Sequence, residues 1–503
     1  MNKIYVLFLA LLVLASCSDF LEEHSTKLAY VESCSDLEEL LIGGGYMKNV
    51  NVRESDSPLA VTGDNAPCFP WIHVMDDDET VFINGAFSGP FGGTDIGIQF
   101  SGLHCWQKNP FSNVSGSFRD ETWMRLYERI GVLNVILGQV DDLVSDTEEL
   151  RKRVKGEALF LRASYYFWLV NFYAKPYNKE TATSDPGVPI KTTDHIEDRY
   201  YTRDPVAKVY EQIVTDLKAS VANLSKVPKE SVFQASEAAA RTLLSRVYLY
   251  TGEWQKTIEQ CDSVSGYQLL NLVGRDQTQS FLYQDSPELI FTQGSYCMQG
   301  LMKRANARRY CYQISDDLLR SYEPEDLRLK NFFSKYKAPW GNYGESTISQ
   351  KVQADKDKKI SDNGMIRYAE VILNKAEALA MMDREREAIQ TLGELRANRF
   401  EYPGVLNKTG KNLVAFIREE RRRELCFEGH RWFDLRRYAV SSKYPVEKEI
   451  RHDYYNTDGT LNGTFLLKKY SEERGWVLPI PDYVIIFNNG QIKDNERDER
   501  EKL

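Results

Sequence analysis

Across residues 154–172 the side chains of Val154, Ala158, Leu161, Tyr165, Leu169 and Phe172 recur every three or four positions, so they line one face of a single long helix. A chain with such a stripe must bury it against other elements, and the stretches that follow repeat the pattern. Pro176 and the run Asp185-Pro186-Gly187-Val188-Pro189 end this helix and turn the chain. Pro205 then stands at the first turn of another helix, which carries Val209, Ile213, Leu217 and Val221 four residues apart.

Residues 237–264 and 366–399 each read helix, turn, helix, with turns at Gly252 and near Asp383. A shift of 131 residues sets Val247 on Ala378, Thr257-Ile258 on Ala388-Ile389 and Cys261 on Leu392. These are small or apolar positions where the two helices of a hairpin touch, and such hairpins hide their apolar faces only by stacking on neighbours. The pattern resembles degenerate tetratricopeptide units. It predicts a mainly α scaffold over residues 119–265 and 363–440, with minor β-hairpins and two long irregular regions at 50–118 and 266–362. Both regions are rich in Gly, Pro, Asn, Asp and aromatic residues. Loops of this length are functional or disordered, and their aromatic content favours order.

The formal net charge is -9, and loss of residues 1–16, which hold Lys3 and no acid, takes it to -10. An acidic chain makes nucleic acid a poor partner, because phosphate binding needs a concentrated basic face. Arg418, Arg421, Arg422 and Arg423 alternate with Glu419, Glu420 and Glu424, and the spacing of Glu419 and Arg423 predicts a solvated or ion-paired helix face. No G-x-S-x-G elbow, H-E-x-x-H, P-loop or G-x-G-x-x-G occurs. Asp76-Asp77-Asp78-Glu79 lacks the spacing of a calcium loop and reads as an exposed acidic turn, so no metal is expected.

Residues 1–16 carry one charge and an apolar run from Ile4 to Leu14, then Leu14-Ala15-Ser16-Cys17. The run is shorter than the ~20 apolar residues of a membrane span. It resembles a bacterial lipoprotein signal, cut before Cys17, which is then acylated on more than one position for durable anchoring. The following Ser18-Asp19-Phe20-Leu21-Glu22-Glu23 resembles the surface-export signal of Bacteroidetes lipoproteins. The seven other cysteines, Cys34, Cys68, Cys105, Cys261, Cys297, Cys311 and Cys426, are odd in number and form no C-x-x-C, which argues against a disulfide framework or a zinc site. They read as buried apolar residues, with Cys297 and Cys311 the one pair worth comparing.

Residues 420–437 read Glu-Arg-Arg-Arg-Glu-Leu-Cys-Phe-Glu-Gly-His-Arg-Trp-Phe-Asp-Leu-Arg-Arg, which resembles the signature of SusD/RagB proteins. The likeness extends to Trp123, Tyr127, Ile130 and Asn134, to Glu157-Ala158 and Leu161-Arg162-Ala163, and to Gly187-Val188-Pro189. It continues through Tyr210, Ile213, Asp216 and Leu217, Ala239-Ala240 to Trp254, Arg367-Tyr368-Ala369-Glu370 to Ala378, and Leu478-Pro479-Ile480-Pro481. Departures fall at Ala174, where the family carries Gly, and in the charged tail after Asn489. Within the signature, Glu424, Glu428, Arg431, Asp434 and Arg436 read as ion-pairing residues, Phe427, Trp432, Phe433 and Leu435 as packing, and His430 as framework.

The resemblance implies a single SusD-like domain over 17–503 that binds nutrients, usually glycans, at the outer membrane and acts with a SusC-like TonB-dependent transporter, without catalysis or cofactor. Its ligand sites lie in variable loops, so no binding residue transfers by position. Sugars need aromatic faces flanked by amides and carboxylates. The first irregular region offers Asp64, Asn65, Phe69, Trp71 and Trp106, and the second Tyr296, Tyr310, Tyr312, Trp340 and Tyr343. The expectation is one shallow site where the two regions meet, with Trp71 or Trp106 facing Tyr296 or Trp340. Three alternatives stand beside it: a RagB-like peptide binder with the same fold, a surface glycosidase with a carboxylate pair that the sequence does not single out, and a pure assembly scaffold built on tetratricopeptide grooves.

Overall fold

The computed structural model describes residues 31–47, 69, 71–83, 100–113, 116–117 and 121–503, except 277, 295–297, 307–309, 338–343, 354–355, 357–358 and 456–459. Two short helices, α1 (Cys34–Leu40) and α2 (Ser101–His104), precede the scaffold. The scaffold begins with α3 (Thr122–Gln139), α4 (Glu148–Tyr173), α5 (Val206–Leu224), α6 (Glu237–Thr251) and α7 (Trp254–Asp262). Then come α8 (Met298–Asn306), α9 (Asp316–Arg320) and α10 (Arg328–Phe332). The chain closes with α11 (Tyr368–Met381), α12 (Glu385–Ala397), α13 (Gly410–Leu425), α14 (Arg431–Ala439) and α15 (Asp482–Phe487). From α3 to α7 each helix packs on the next, α7 packs on α11, and α11 packs on α12 and α13.

The stripe predicted on α4 proves to be one side of a helix that is buried all round from Gly156 onward. Its start is fixed by Thr147, whose hydroxyl accepts the Leu150 N–H, and by Glu148 and Glu149 in the first turn. α3 and α5 cover two sides. Phe69 and Phe433 cover another, packing on Trp168 and Phe172. Arg162 ties three helices together, holding both oxygens of Asp216 on α5 at 2.8 and 2.7 Å and Asn134 on α3 at 2.9 Å. Gly156 lets α5 close in, since a Cβ there would stand 2.5 Å from Leu224. Ala174 is extended (φ −129°, ψ 166°), so the turn needs no glycine. Pro205 caps α5 one position earlier than expected, ahead of Val206.

The strands make five separate antiparallel pairs. They join β1 (Glu79–Ile83) to β5 (Tyr310–Ile314), β2 (Ser112–Asn113) to β3 (Gly116–Ser117) and β4 (Leu289–Phe291) to β8 (Ile366–Arg367). The others join β6 (Phe333–Tyr336) to β7 (Ser346–Ser349) and β9 (Ile450–Tyr455) to β10 (Leu461–Leu467).

The basic and acidic run on α13 is buried and ion-paired rather than solvated. Glu424 accepts from Arg328, Arg367 and Arg399 at 3.0, 2.7 and 2.8 Å. Glu420 accepts from Arg328, Arg396 and Arg423. The expected Glu419–Arg423 pair does not form. Arg423 turns to Glu420 at 2.7 Å, while Glu419 lies 3.8 Å from Arg422, because the buried carboxylate of Glu420 needs the charge more. Glu428 pairs with Arg367 and Lys351, and Asp434 with Arg421 and Arg437. Arg436 departs from the expected ion pair and donates to the carbonyls of Asn171 and Ala174, with burial pushing its guanidinium down to about 10. His430 is buried, and burial together with Arg246 and Arg421 keeps it neutral, so its Nδ1 can accept from Arg421.

Asp76, Asp77 and Asp78 are likewise buried and not an exposed turn. Asp77 accepts from Nε and Nη2 of Arg431 at 2.7 and 2.8 Å, and Asp78 accepts from Arg422 at 2.7 Å. Burial works against the Asp77 anion, but the guanidiniums of Arg431 and Arg422 hold its carboxyl well below the usual range. The three carboxylates lie within 4.8 Å of one another. Arg422, Arg431 and Lys448 already supply positive charge there. Cys34, Cys105, Cys261 and Cys426 are buried free thiols. Cys17, Cys68 and Cys297 and the side chain of Cys311 lie outside the described residues.

Candidate functional site

The two irregular regions meet directly. β1 comes from the first and β5 from the second, in a register from Glu79 against Ile314 to Ile83 against Tyr310. The run Glu-Thr-Val-Phe-Ile, β-branched and aromatic, explains β1. Ser315 locks the inner end: its N–H donates to Asp78 O at 2.9 Å, and its hydroxyl donates to Asp77 O at 2.7 Å and caps α9 through Leu318 N–H.

At the outer end, Ile83 pairs with Tyr310, and Gly344 lies so close to the half-buried Phe82 that a Cβ at 344 would stand 2.8 Å from its ring. Ile83, Tyr310 and Gly344 therefore meet at one end of the ladder. Tyr336, the last residue of β6, pairs with Ser346, two residues on from Gly344, and has the Lys303 ammonium 5.8 Å from its ring centroid. Phe82, Tyr336 and Lys303 were missed in the sequence reading. The alternation within 79–83 was the available signal for Phe82; Tyr336 and Lys303 carried none.

The residues named from sequence divide in two. Trp71 and Trp106 are each 1% exposed and Tyr312 2%, so their rings belong to the core in this structure. Trp71 packs on Phe172 at 5.0 Å. Trp106 donates from Nε1 to Met75 O at 2.9 Å and stacks on His452, which stacks on His104, which packs on Tyr312. Phe69, ahead of the 3₁₀ turn at Ile72–Met75, and Trp106, after α2, both adopt left-handed backbone conformations (φ 41° and 49°). Tyr310 sits at the outer end of the ladder, its side chain outside the described residues, as are Asp64, Asn65, Tyr296, Trp340 and Tyr343.

Residues 105–249 match a family model described as "Starch-binding associating with outer membrane", and residues 334–496 match one described as "SusD family". The chain belongs to the SusD/RagB family. Among SusD-like relatives, protein P2 of Formosa agariphila is 22% identical over 92% of this chain and 96% of its own length. Protein P38 of the same organism is 23% identical over 62% of this chain and 71% of its own. The SusD fold is equally plain. A SusD superfamily protein of Bacteroides thetaiotaomicron superposes with a TM-score of 0.69 at 21% identity, covering 92% of this chain and all of that one. A SusD-like carbohydrate binding protein of Bacteroides vulgatus gives 0.65 at 20% identity, covering 91% and 97%. The SusD signature residues Glu424, Glu428, Arg431 and Asp434 are thus buried, ion-paired residues of the scaffold.

Proposed function

We propose that this SusD-family protein is a cell-surface, lipid-anchored glycan-binding protein that passes oligosaccharides to a SusC-like TonB-dependent transporter. One observation carries the binding half: the two aromatic-rich regions are joined by the β1–β5 ladder, whose Ile83–Tyr310 end lies beside Phe82 and Gly344. Flat aromatic faces suit the apolar side of a pyranose, and Tyr310, Trp340 and Tyr343 stand at or near this junction in sequence. Relatives of the same fold are described as carbohydrate binding. The protein acts by binding, without hydrolysing its cargo.

Supporting the transporter half, an apolar groove of about 790 Å³ lies between α3 and α15, lined by Trp123, Tyr127, Tyr483 and Phe487. Ile196 on its rim is 97% exposed and Phe487 75%, and exposed apolar surface of this kind suits a protein partner. Among the described residues no helix is long and apolar enough to cross a membrane. The test is a glycan array with the wild-type protein, product analysis of every hit, and mild-detergent co-purification with and without Phe487→Asp. The reading expects intact oligosaccharide hits and transporter recovery that Phe487→Asp reduces. Peptide hits in place of glycans, or cleaved sugars, would replace it.

A further inference from the structure

A second groove, of about 630 Å³, separates residues 101–109 from the β9–β10 hairpin and the C-terminal tail. Its lining differs from that of the α3–α15 groove, with Gln107, Lys108, Lys502 and Glu499 beside the aromatic residues Tyr454 and Phe465.

The groove is rigidly built. The left-handed turn at Trp106 is held by Arg497, whose Nη2 donates to Trp106 O and Gln107 O at 3.2 and 3.1 Å while Nη1 donates to Gly475 O at 3.0 Å. Arg497 has only carbonyl partners there, and burial pushes its guanidinium down to about 10. The tail is pinned on the other side, where Leu503 N–H donates to Thr464 O at 2.9 Å and Arg500 holds Glu473 at 2.5 and 2.7 Å. Gly463 makes room for the Lys502 stem, since a Cβ there would stand 2.9 Å from Lys502 Cδ. Tyr454 and Phe465 meet edge to face, 6.1 Å apart at 72°.

The charges are unequal. Lys108 reaches Glu499 at 2.9 Å, but both side chains are exposed, and water screens such a pair enough for a ligand anion to displace it. Lys502 makes no ion pair among the described residues. Two ammoniums facing one carboxylate, in a chain whose net charge is -9, form a local exception. An amide and aromatic rings beside them supply hydroxyl partners and apolar contact.

We infer that this groove is a separate saccharide site for anionic sugars, in which Lys502 and Lys108 receive a uronate carboxylate or a sulfate and Tyr454 lies against the ring. The ligand class rests on the glycan-binding reading above, whereas the charge preference rests on this groove alone. The test is calorimetry on the full-length protein in detergent with trigalacturonate, a sulfated galactotriose and neutral galactotriose. At least one anionic trisaccharide should bind at least tenfold tighter than the neutral one, more weakly as salt rises. Lys502→Glu and Gln107→Ala, each checked for folding by circular dichroism, should lower that affinity at least tenfold. The two anionic ligands separate carboxylate from sulfate recognition. Equal binding of all three sugars, or unchanged anion binding in both folded variants, would overturn the inference and leave the first site standing. Absence of any saccharide binding would overturn both.

Discussion

Gly252 and Asp383 occupy the same place in two stacked helical hairpins 131 residues apart, both left-handed, at φ 76° and 60°. The bonds around them match: Glu253 N–H donates to Tyr248 O at 2.8 Å, and Arg384 N–H donates to Leu379 O at 2.9 Å. A left-handed residue after a helix closes its last turn, and glycine does so without a Cβ penalty. Gly252→Ala should therefore destabilise by about 1 kcal/mol, while Asp383→Gly should be neutral or slightly stabilising. Urea unfolding midpoints of the two variants provide the comparison.

Glu424 is the acceptor shared by Arg328, Arg367 and Arg399. Its removal would leave three buried guanidiniums short of charge. Glu424→Gln should cost about 3–5 kcal/mol, measured as loss of unfolding free energy, and should reduce the yield of folded protein.

Stability should depend on pH in a direction set by two buried acids. Burial pushes the Glu157 carboxyl up to about 7, even though the Tyr46 hydroxyl donates to it at 2.5 Å. Burial likewise pushes Asp362 up to about 7, with Met298 N–H donating to it. In the folded state both keep a proton that the unfolded chain releases near its ordinary carboxylate values. Their contribution is thus fully present below about pH 4 and is lost as pH rises toward 7. Glu377 and Glu420 act oppositely: burial notwithstanding, Arg437 and Arg328 hold them down to about 2, so their contribution is lost as pH falls below about 4.5. Glu157→Gln should flatten the decline between pH 5 and 7 by up to about 1.4 kcal/mol per pH unit. An unchanged slope in denaturant titrations would contradict the assignment.

The helical scaffold was legible because its information is local. The period of α4, the 131-residue offset and the turn residues Gly252 and Asp383 all survive in the folded chain. What the sequence concealed depends on distant partners. Asp77 reads as exposed until Arg431 is brought to it across more than three hundred residues of chain. Trp71 and Trp106 read as ligand platforms because nothing near them in sequence announces Phe172 or His452 as neighbours. The meeting of the two irregular regions was expected from composition, but the ladder that joins them depends on pairing Ile83 with Tyr310.

Anchoring is tested through Cys17. Cys17→Ala should abolish acylation and move the protein from the membrane fraction to the soluble fraction. A variant that stays membrane-bound, with no lipid found on the wild type by mass spectrometry, would remove the basis for a surface lipoprotein.

The central claim is that sugar is held by Trp340 or Tyr343, which adjoin the Ile83–Tyr310–Gly344 junction in sequence, and not by the buried tryptophans Trp71 and Trp106. Calorimetry against the strongest neutral array hit, on Trp340→Ala, Tyr343→Ala and Trp106→Ala with thermal unfolding alongside, tests it most directly. Loss of a stacking ring should weaken binding about ten- to a hundredfold, on the order of 1–3 kcal/mol, in Trp340→Ala or Tyr343→Ala with stability retained. Trp106→Ala should lose about 3–5 kcal/mol of stability. Wild-type affinity in both folded loop variants would contradict the account.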